Sequence, residues 1–92
     1  MRVELVNIRE LPWVNRGIVY TKKGEFDQAF ADFAYALRLD PNSAVAYFSR
    51  SNVHYAKGDI EKAIADLEAA LRIDPHYTNA KNNLNILKRK QS

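Results

Sequence analysis

The 92-residue chain contains no cysteine and only two histidines. Without cysteine it can form neither disulfides nor thiolate metal sites. The histidines, His54 and His76, lack the spacing of a metal-binding pair, and no metal or other cofactor is expected. The sequence also contains no glycine-rich phosphate loop and no nucleophile elbow. These absences argue against an enzyme.

Long apolar stretches are missing as well. The first residues do not form the apolar stretch of a signal peptide, and no later run is long enough to cross a bilayer. The composition is otherwise ordinary for a globular protein, with 47% hydrophobic and 27% charged residues. We therefore expect a soluble, cytoplasmic protein without membrane contact.

Positive charge is concentrated at the end of the chain. The formal net charge is +3, and residues 78–92 contain four bases and no acid. A minor hypothesis is therefore that Lys88, Arg89 and Lys90 contact an anion or nucleic acid. Cations are also favoured at the C-terminus of any helix, and no aromatic residues are interleaved with these. A nucleic-acid partner is consequently not expected.

A period of thirty-four residues organises the chain. Residues 10–43 and 44–77 align without a gap and are identical at twelve of thirty-four positions, against about two expected by chance for ordinary compositions. Conservative pairs fill further positions, for example Trp13 with Tyr47. The chain is therefore a tandem repeat.

Each unit predicts two helices. In the first unit, an apolar stripe at helical spacing runs from Trp13 to Tyr20 and is interrupted at Gly24, which can adopt the positive φ of a tight turn. A second stripe follows and must end before the Asp-Pro pair at 40–41, because proline disfavours helical geometry in the residue before it. The second unit repeats this scheme. We therefore predict an all-α fold, with small residues such as Gly17 where two helices approach closely.

These residues resemble the tetratricopeptide repeat. The first unit carries that family's pattern in Trp13, Gly17, Tyr20, Ala29, Phe33, Ala36 and Pro41. The second unit has Ser51 in place of the glycine and His54 in place of the tyrosine. The resemblance implies an α-solenoid of two helix-turn-helix hairpins and a capping helix. Its expected parts are an N-terminal extension (1–9), two repeats (10–43 and 44–77) and a C-terminal capping helix with a basic end (78–92).

In tetratricopeptide proteins, the first helices of successive repeats line a concave groove that binds peptides or partner helices. The resemblance therefore implies a non-catalytic scaffold or adaptor with a largely apolar protein or peptide ligand. The groove positions are Leu11, Val14, Asn15, Ile18, Val45, Phe48, Ser49, Asn52, Tyr55, Asn79 and Asn83. The asparagines can hydrogen-bond a peptide backbone, although solvated or helix-capping asparagines are equally ordinary.

Two alternatives to ligand binding stay open for the first helix. Leu11, Val14 and Ile18 form a second apolar face, which is expected to be buried or to bind something. The chain's own N-terminal segment, residues 3–8, can cover it. Alternatively, the first repeat packs on a second copy in a homo-oligomer such as a domain-exchanged homodimer, because repeat arrays usually need about three units. The apolar residues that favour self-association are Val3, Leu5, Val6 and Ile8.

Chaperone-binding members of the family hold a C-terminal carboxylate with lysine, asparagine and arginine side chains on the groove helices. The corresponding positions here are Val14, Ile18, Ser49, Asn79 and Asn83. Because none of them is a cation, a carboxylate would lack a charge-assisted donor. The resemblance therefore argues against chaperone tails as partners and favours apolar ligands.

The acids on the second helices and the histidine at position 54 are expected to have structural and not chemical roles. Carboxylates such as Asp32 and Asp66 are explained by a solvated helix face, since no nucleophile or pocket is implied beside them. His54 occupies an aromatic core position of the repeat. This position favours an interior histidine with satisfied hydrogen bonds over a metal ligand.

Overall fold

The computed structural model describes residues 9–91, and within that range the chain consists of α-helices joined by short turns. The helices are α1 (Leu11–Lys22), α2 (Phe26–Leu39), α3 (Ala44–Ala56), α4 (Ile60–Ile73) and α5 (Thr78–Gln91). Each helix packs against the next, and α1 also contacts α3. The result is the predicted all-α repeat arrangement of two hairpins and a final helix. None of these five helices combines the length and apolar character needed to span a membrane.

Local residue chemistry explains where the helices begin and end. Gly24 and Gly58 form the turns inside the two hairpins with φ of 79° and 87°, in the left-handed region that glycine adopts without a steric cost. Between the hairpins, the side chain of Ser43 accepts a hydrogen bond from the backbone N–H of Ala46 and caps α3. Helices α2 and α4 end directly before their Asp-Pro pairs, as predicted.

Two apolar clusters form the interior. The first, which joins the first hairpin to α3, contains Val14, Ala29, Phe33, Ala36, Ala46 and Val53. The second, which joins the second hairpin to α5, contains Ala63, Ile64, Leu67, Ala70, Ala80 and Leu87. Each hairpin therefore buries an apolar face against the helix that follows it, as expected for a stacked repeat.

Gly17 marks the closest approach of α1 and α2. A Cβ atom at this position would lie 2.6 Å from Cε1 and 2.9 Å from Cζ of Phe33. Phe33 is fully buried, and a close-packed interior leaves its ring little room to move aside. The prediction of a close helix contact at Gly17 is confirmed.

A bidentate arginine–aspartate pair links the two helices of each hairpin. Arg16 donates from Nε and Nη2 to the carboxylate of Asp32 at 2.9 and 2.8 Å, and Arg50 donates in the same way to Asp66 at 2.8 and 2.9 Å. Both aspartates are buried, so the expectation that they lie on a solvated face was wrong. A carboxylate that accepts two hydrogen bonds from one guanidinium group can be buried, because these bonds replace the ones it makes to water. The sequence signal was an Arg–Asp spacing of sixteen residues in both repeats.

Candidate functional site

A cleft of about 290 Å³ lies between α3 and α5. Fully buried Leu67 of α4 contributes to its base. The cleft is lined by Ser51, Asn52, Tyr55, Leu67, Asn83, Ile86 and Leu87. The two helices of the second hairpin and the final helix therefore build one concave site.

The lining of the cleft is apolar with two amide side chains. Tyr55 and Ile86 are both large hydrophobic residues that remain exposed to solvent. Asn52 from α3 and Asn83 from α5 add hydrogen-bond donors and acceptors. None of these described lining residues is charged. Such a cleft suits an apolar group of a ligand whose polar atoms are held by the amides.

The cleft brings together part of the groove predicted from the sequence. Asn52, Tyr55 and Asn83 are among its lining residues. Asn15 on α1 and Asn79 on α5 are exposed, but they do not line this cleft. The predicted surface is thus concentrated in its second half, between α3 and α5.

Four apolar groove positions are half-buried and contribute to packing. Ile18 and Val45 pack against the first core cluster, and Leu11 is half-buried near the start of α1. Phe48 packs against the second cluster, where its ring centroid lies 5.0 Å from that of Tyr77. These side chains stabilise the helices that form the groove and leave only part of their surface to a ligand.

Val14 and Ser49 differ from the expectation because both are buried. Val14, 1% exposed, belongs to the same cluster as Val53, since α3 packs on α1 and α2 and covers it. The two side chains support the groove from beneath and offer almost no surface to a ligand. Helical periodicity alone does not reveal this, because the covering residues come from another helix.

The two ends of the chain carried further predictions. The apolar residues predicted to support self-association, Val3, Leu5, Val6 and Ile8, lie outside the described residues, and that hypothesis stays a prediction. At the other end, Lys88, Arg89 and Lys90 form the last turn of α5. The Nζ atom of Lys88 lies 3.9 Å from the carboxylate of Glu68, so part of this basic end is engaged within the fold.

His54 lies at the junction of the two repeats. Its ring centroid is 4.8 Å from that of Phe30 on α2, and its Nε2 lies 3.6 Å from Oδ2 of Asp66. Its Nδ1 is buried and has no hydrogen-bond partner among the described residues. The interpretation as a largely interior histidine holds, but the expectation that its hydrogen bonds are satisfied was wrong.

The pKa of His54 predicts how stability depends on pH. Burial lowers this pKa; Asp66 raises it and Arg50 lowers it, both more weakly than burial acts. The folded chain therefore resists protonation where the unfolded chain accepts a proton. We expect the free energy of unfolding to be level just above about pH 6.5, the ordinary histidine value, and to fall as the pH drops below it.

Urea unfolding at about pH 7.5 and about pH 5.5 checks this expectation. The variant His54→Tyr, which introduces the tyrosine found at the same position of the first repeat, should flatten the dependence. His76→Gln is the matched control, since His76 is exposed, and should leave the dependence intact. An NMR titration that places the pKa of His54 above its ordinary value would contradict the prediction.

Comparison with known proteins identifies the fold and a family. A family model described as tetratricopeptide repeat matches residues 14–78. Thirty-three chains of solved structures match this structure. One is described as the first TPR of Spaghetti (RPAP3) bound to the HSP90 peptide SRMEEVD; it is 25% identical, with a TM-score of 0.83 over 92% of this chain and 68% of that chain. No curated protein matches the sequence.

Proposed function

The chain belongs to the tetratricopeptide repeat family, and we propose that it is a non-catalytic interaction module that holds a peptide or helix of a partner protein in the cleft between α3 and α5. The observation that carries the proposal is the exposed, uncharged apolar lining of this cleft with its two amides. The likeness to a domain that was solved with a bound peptide supports an interaction module in general.

An extended peptide fits the cleft in a simple way. One apolar side chain of the ligand inserts between Tyr55 and Ile86, above Leu67. Fully burying a leucine-sized side chain contributes about 1.5–3 kcal/mol. Asn52 and Asn83, one on each side, hydrogen-bond the peptide backbone, since each amide has both donors and an acceptor.

The charge of the cleft sets the ligand preference. The similar domain is described with a chaperone peptide that contains two glutamates and a final aspartate, so this fold accommodates an acidic tail. In this chain the five positions corresponding to the carboxylate grip hold no lysine or arginine, and two of them, Val14 and Ser49, are buried. We propose a preference for apolar peptides over acidic ones.

Two labelled peptides test the preference and the site together. The first is SRMEEVD, and the second is the same peptide with leucine in place of both glutamates. Fluorescence anisotropy is expected to show at least about tenfold tighter binding of the leucine peptide. Ile86→Asp should weaken that binding at least about tenfold, because it introduces a carboxylate into the apolar lining.

The matched control is Val19→Asp, which places the same charge at an exposed apolar position of α1 outside the cleft. This variant should bind the leucine peptide as the parent chain does, and circular dichroism should show equal helicity in both variants. Tighter, salt-sensitive binding of SRMEEVD, or unchanged binding by Ile86→Asp, would count against the proposal.

A further inference from the structure

The first helix exposes a position that the later helices bury. The thirty-four-residue register relates Val19 of α1 to Val53 of α3 and Leu87 of α5. Val53 is 0% exposed and Leu87 is 6% exposed, whereas Val19 is 53% exposed. Because Val19 and Val53 are the same residue type, the difference comes from what covers them.

A second position on the same side of these helices is also exposed on α1 and buried on α3 and α5. Pro12 of α1 is exposed, whereas its counterparts Ala46 and Ala80 are fully buried. Helix α2 packs on α3 and helix α4 packs on α5. No described helix covers the corresponding side of α1, which we call the stacking face and define by Pro12, Val19, Tyr20 and Lys23.

The covered junction between the repeats shows what fits such a face. There, α2 supplies Phe30, whose ring lies 4.8 Å from the ring of His54. The Nζ atom of Lys57 lies 5.9 Å from the centroid of the same phenylalanine ring. The register places Tyr20 of α1 at the position of His54, and Lys23, directly after α1, at the position of Lys57. The stacking face therefore offers an aromatic ring and a lysine to an incoming aromatic side chain.

Charge further specifies the partner. The helices α1, α3 and α5 contain no acidic residue. Helices α2 and α4, which cover α3 and α5, carry Asp27, Glu61 and Glu68 besides the two aspartates that are paired within the hairpins. One ion pair crosses such a junction, between Lys88 of α5 and Glu68 of α4. Around α1 the exposed cations are Arg9, Arg16, Lys22 and Lys23, of which Arg16 is paired with Asp32 of α2. An acidic helix complements this surface.

We propose that the stacking face binds an acidic amphipathic helix of another polypeptide, with one aromatic side chain seated against Tyr20 and Lys23. This goes beyond the proposed function, since the stacking face shares no residue with the cleft between α3 and α5. A second copy of this chain is a poor donor of such a helix, because its α2 and α4 are already covered by α3 and α5.

A labelled peptide with the sequence of residues 25–39 tests the proposal, since α2 already packs on the equivalent side of α3. Anisotropy should show binding of this peptide to the full chain. Val19→Asp in the chain and Phe30→Ala in the peptide should each weaken binding at least about tenfold. The matched control Ile86→Asp should bind the peptide as the parent chain does, even though it loses ligands of the cleft. If Val19→Asp lowers helicity, Val19→Ser replaces it.

Several outcomes overturn the proposal. Absent binding, or binding that survives Val19→Asp, shows that the face does not hold a helix of this kind. Light scattering that finds a dimer of the parent chain and a monomer of Val19→Asp assigns the face to a second copy. Peptide binding that appears only after deletion of residues 2–8 assigns the face to the chain's own N-terminal segment.

Discussion

Gly17→Ala is expected to lower the free energy of unfolding by about 1–3 kcal/mol, although alanine is the better helix former by about 1 kcal/mol. The added Cβ would lie 2.6 Å from a carbon of the Phe33 ring. Phe33 is fully buried, so relief requires a shift of α1 against α2. Overpacking therefore outweighs the gain in helix propensity.

The second repeat provides the control and the rescue for this prediction. The register pairs Gly17 with Ser51 and Phe33 with Leu67. Where the first repeat packs a glycine against a phenylalanine, the second repeat therefore has a larger serine and a smaller leucine. Ser51→Ala should cost less than about 1.5 kcal/mol, the typical contribution of one hydrogen bond, here the one from Ser51 to the carbonyl of Phe48. Phe33→Leu, although destabilising alone, should recover stability in the Gly17→Ala background.

Urea unfolding of the four chains of this cycle measures the coupling between positions 17 and 33. The prediction requires the double variant to lose less stability than the sum of the losses of the two single variants. Strictly additive effects, or a Gly17→Ala chain as stable as the parent, would show that α1 and α2 separate without cost.

Arg50→Ala is expected to destabilise the chain by about 3–5 kcal/mol, because it leaves the carboxylate of Asp66 buried without its bidentate partner. The hydrogen bond with Asp66 raises the pKa of Arg50, so its guanidinium group stays charged throughout the neutral range. Arg50→Lys should restore only part of the loss, since an ammonium group cannot reproduce the guanidinium fork. Thermal and urea unfolding measure both effects.

Two comparisons separate the lost pair from a general effect of removing an arginine. Arg72→Ala changes an exposed arginine of α4 and should stay within about 0.5 kcal/mol of the parent. Arg50→Ala with Asp66→Ala should be more stable than Arg50→Ala alone, because no unpaired carboxylate remains. Equal effects of Arg50→Ala and Arg72→Ala would refute this account of the pair.

The two repeats do not depend equally on their ion pairs. The side chain of Arg16 is 55% exposed and that of Arg50 is 28% exposed. Water can therefore reach the first pair more readily, and Arg16→Ala should cost less than Arg50→Ala. Val19 is likewise more exposed to solvent than its counterpart Val53. The first repeat lacks a described neighbour on the side where the second repeat has one.

Much of the fold could be predicted because its signals are local. The glycine at 24, the Asp-Pro pair at 40–41 and their copies thirty-four residues later determine turns and helix ends through backbone sterics alone. The internal repeat then identified the hairpins, and the resemblance of both copies to the tetratricopeptide pattern placed α1, α3 and α5 along one groove. The close contact at Gly17 followed from the same pattern.

The candidate site was harder to predict, because periodicity assigns residues to a helix face without showing what lies opposite. Val14 and Ser49 belong to the predicted groove face, yet neighbouring helices bury them. Asp66 reads as a solvated acid, yet Arg50 comes within 2.8 Å of it and lets it enter the interior. The resemblance assigned Asn52, Tyr55 and Asn83 to one groove, but only their arrangement around Leu67 makes a cleft.

The sequence by itself determined the repeat, the helix ends and the family resemblance, since each depends on the order of residues along the chain and not on what packs against them. Only the tertiary structure decided which apolar faces are covered, because burial depends on the neighbour and not on the residue. Val19 and Val53 occupy the same position in successive repeats, yet one is exposed and the other lies in the core. That difference separates a residue that stabilises the fold from one that is available to bind a partner.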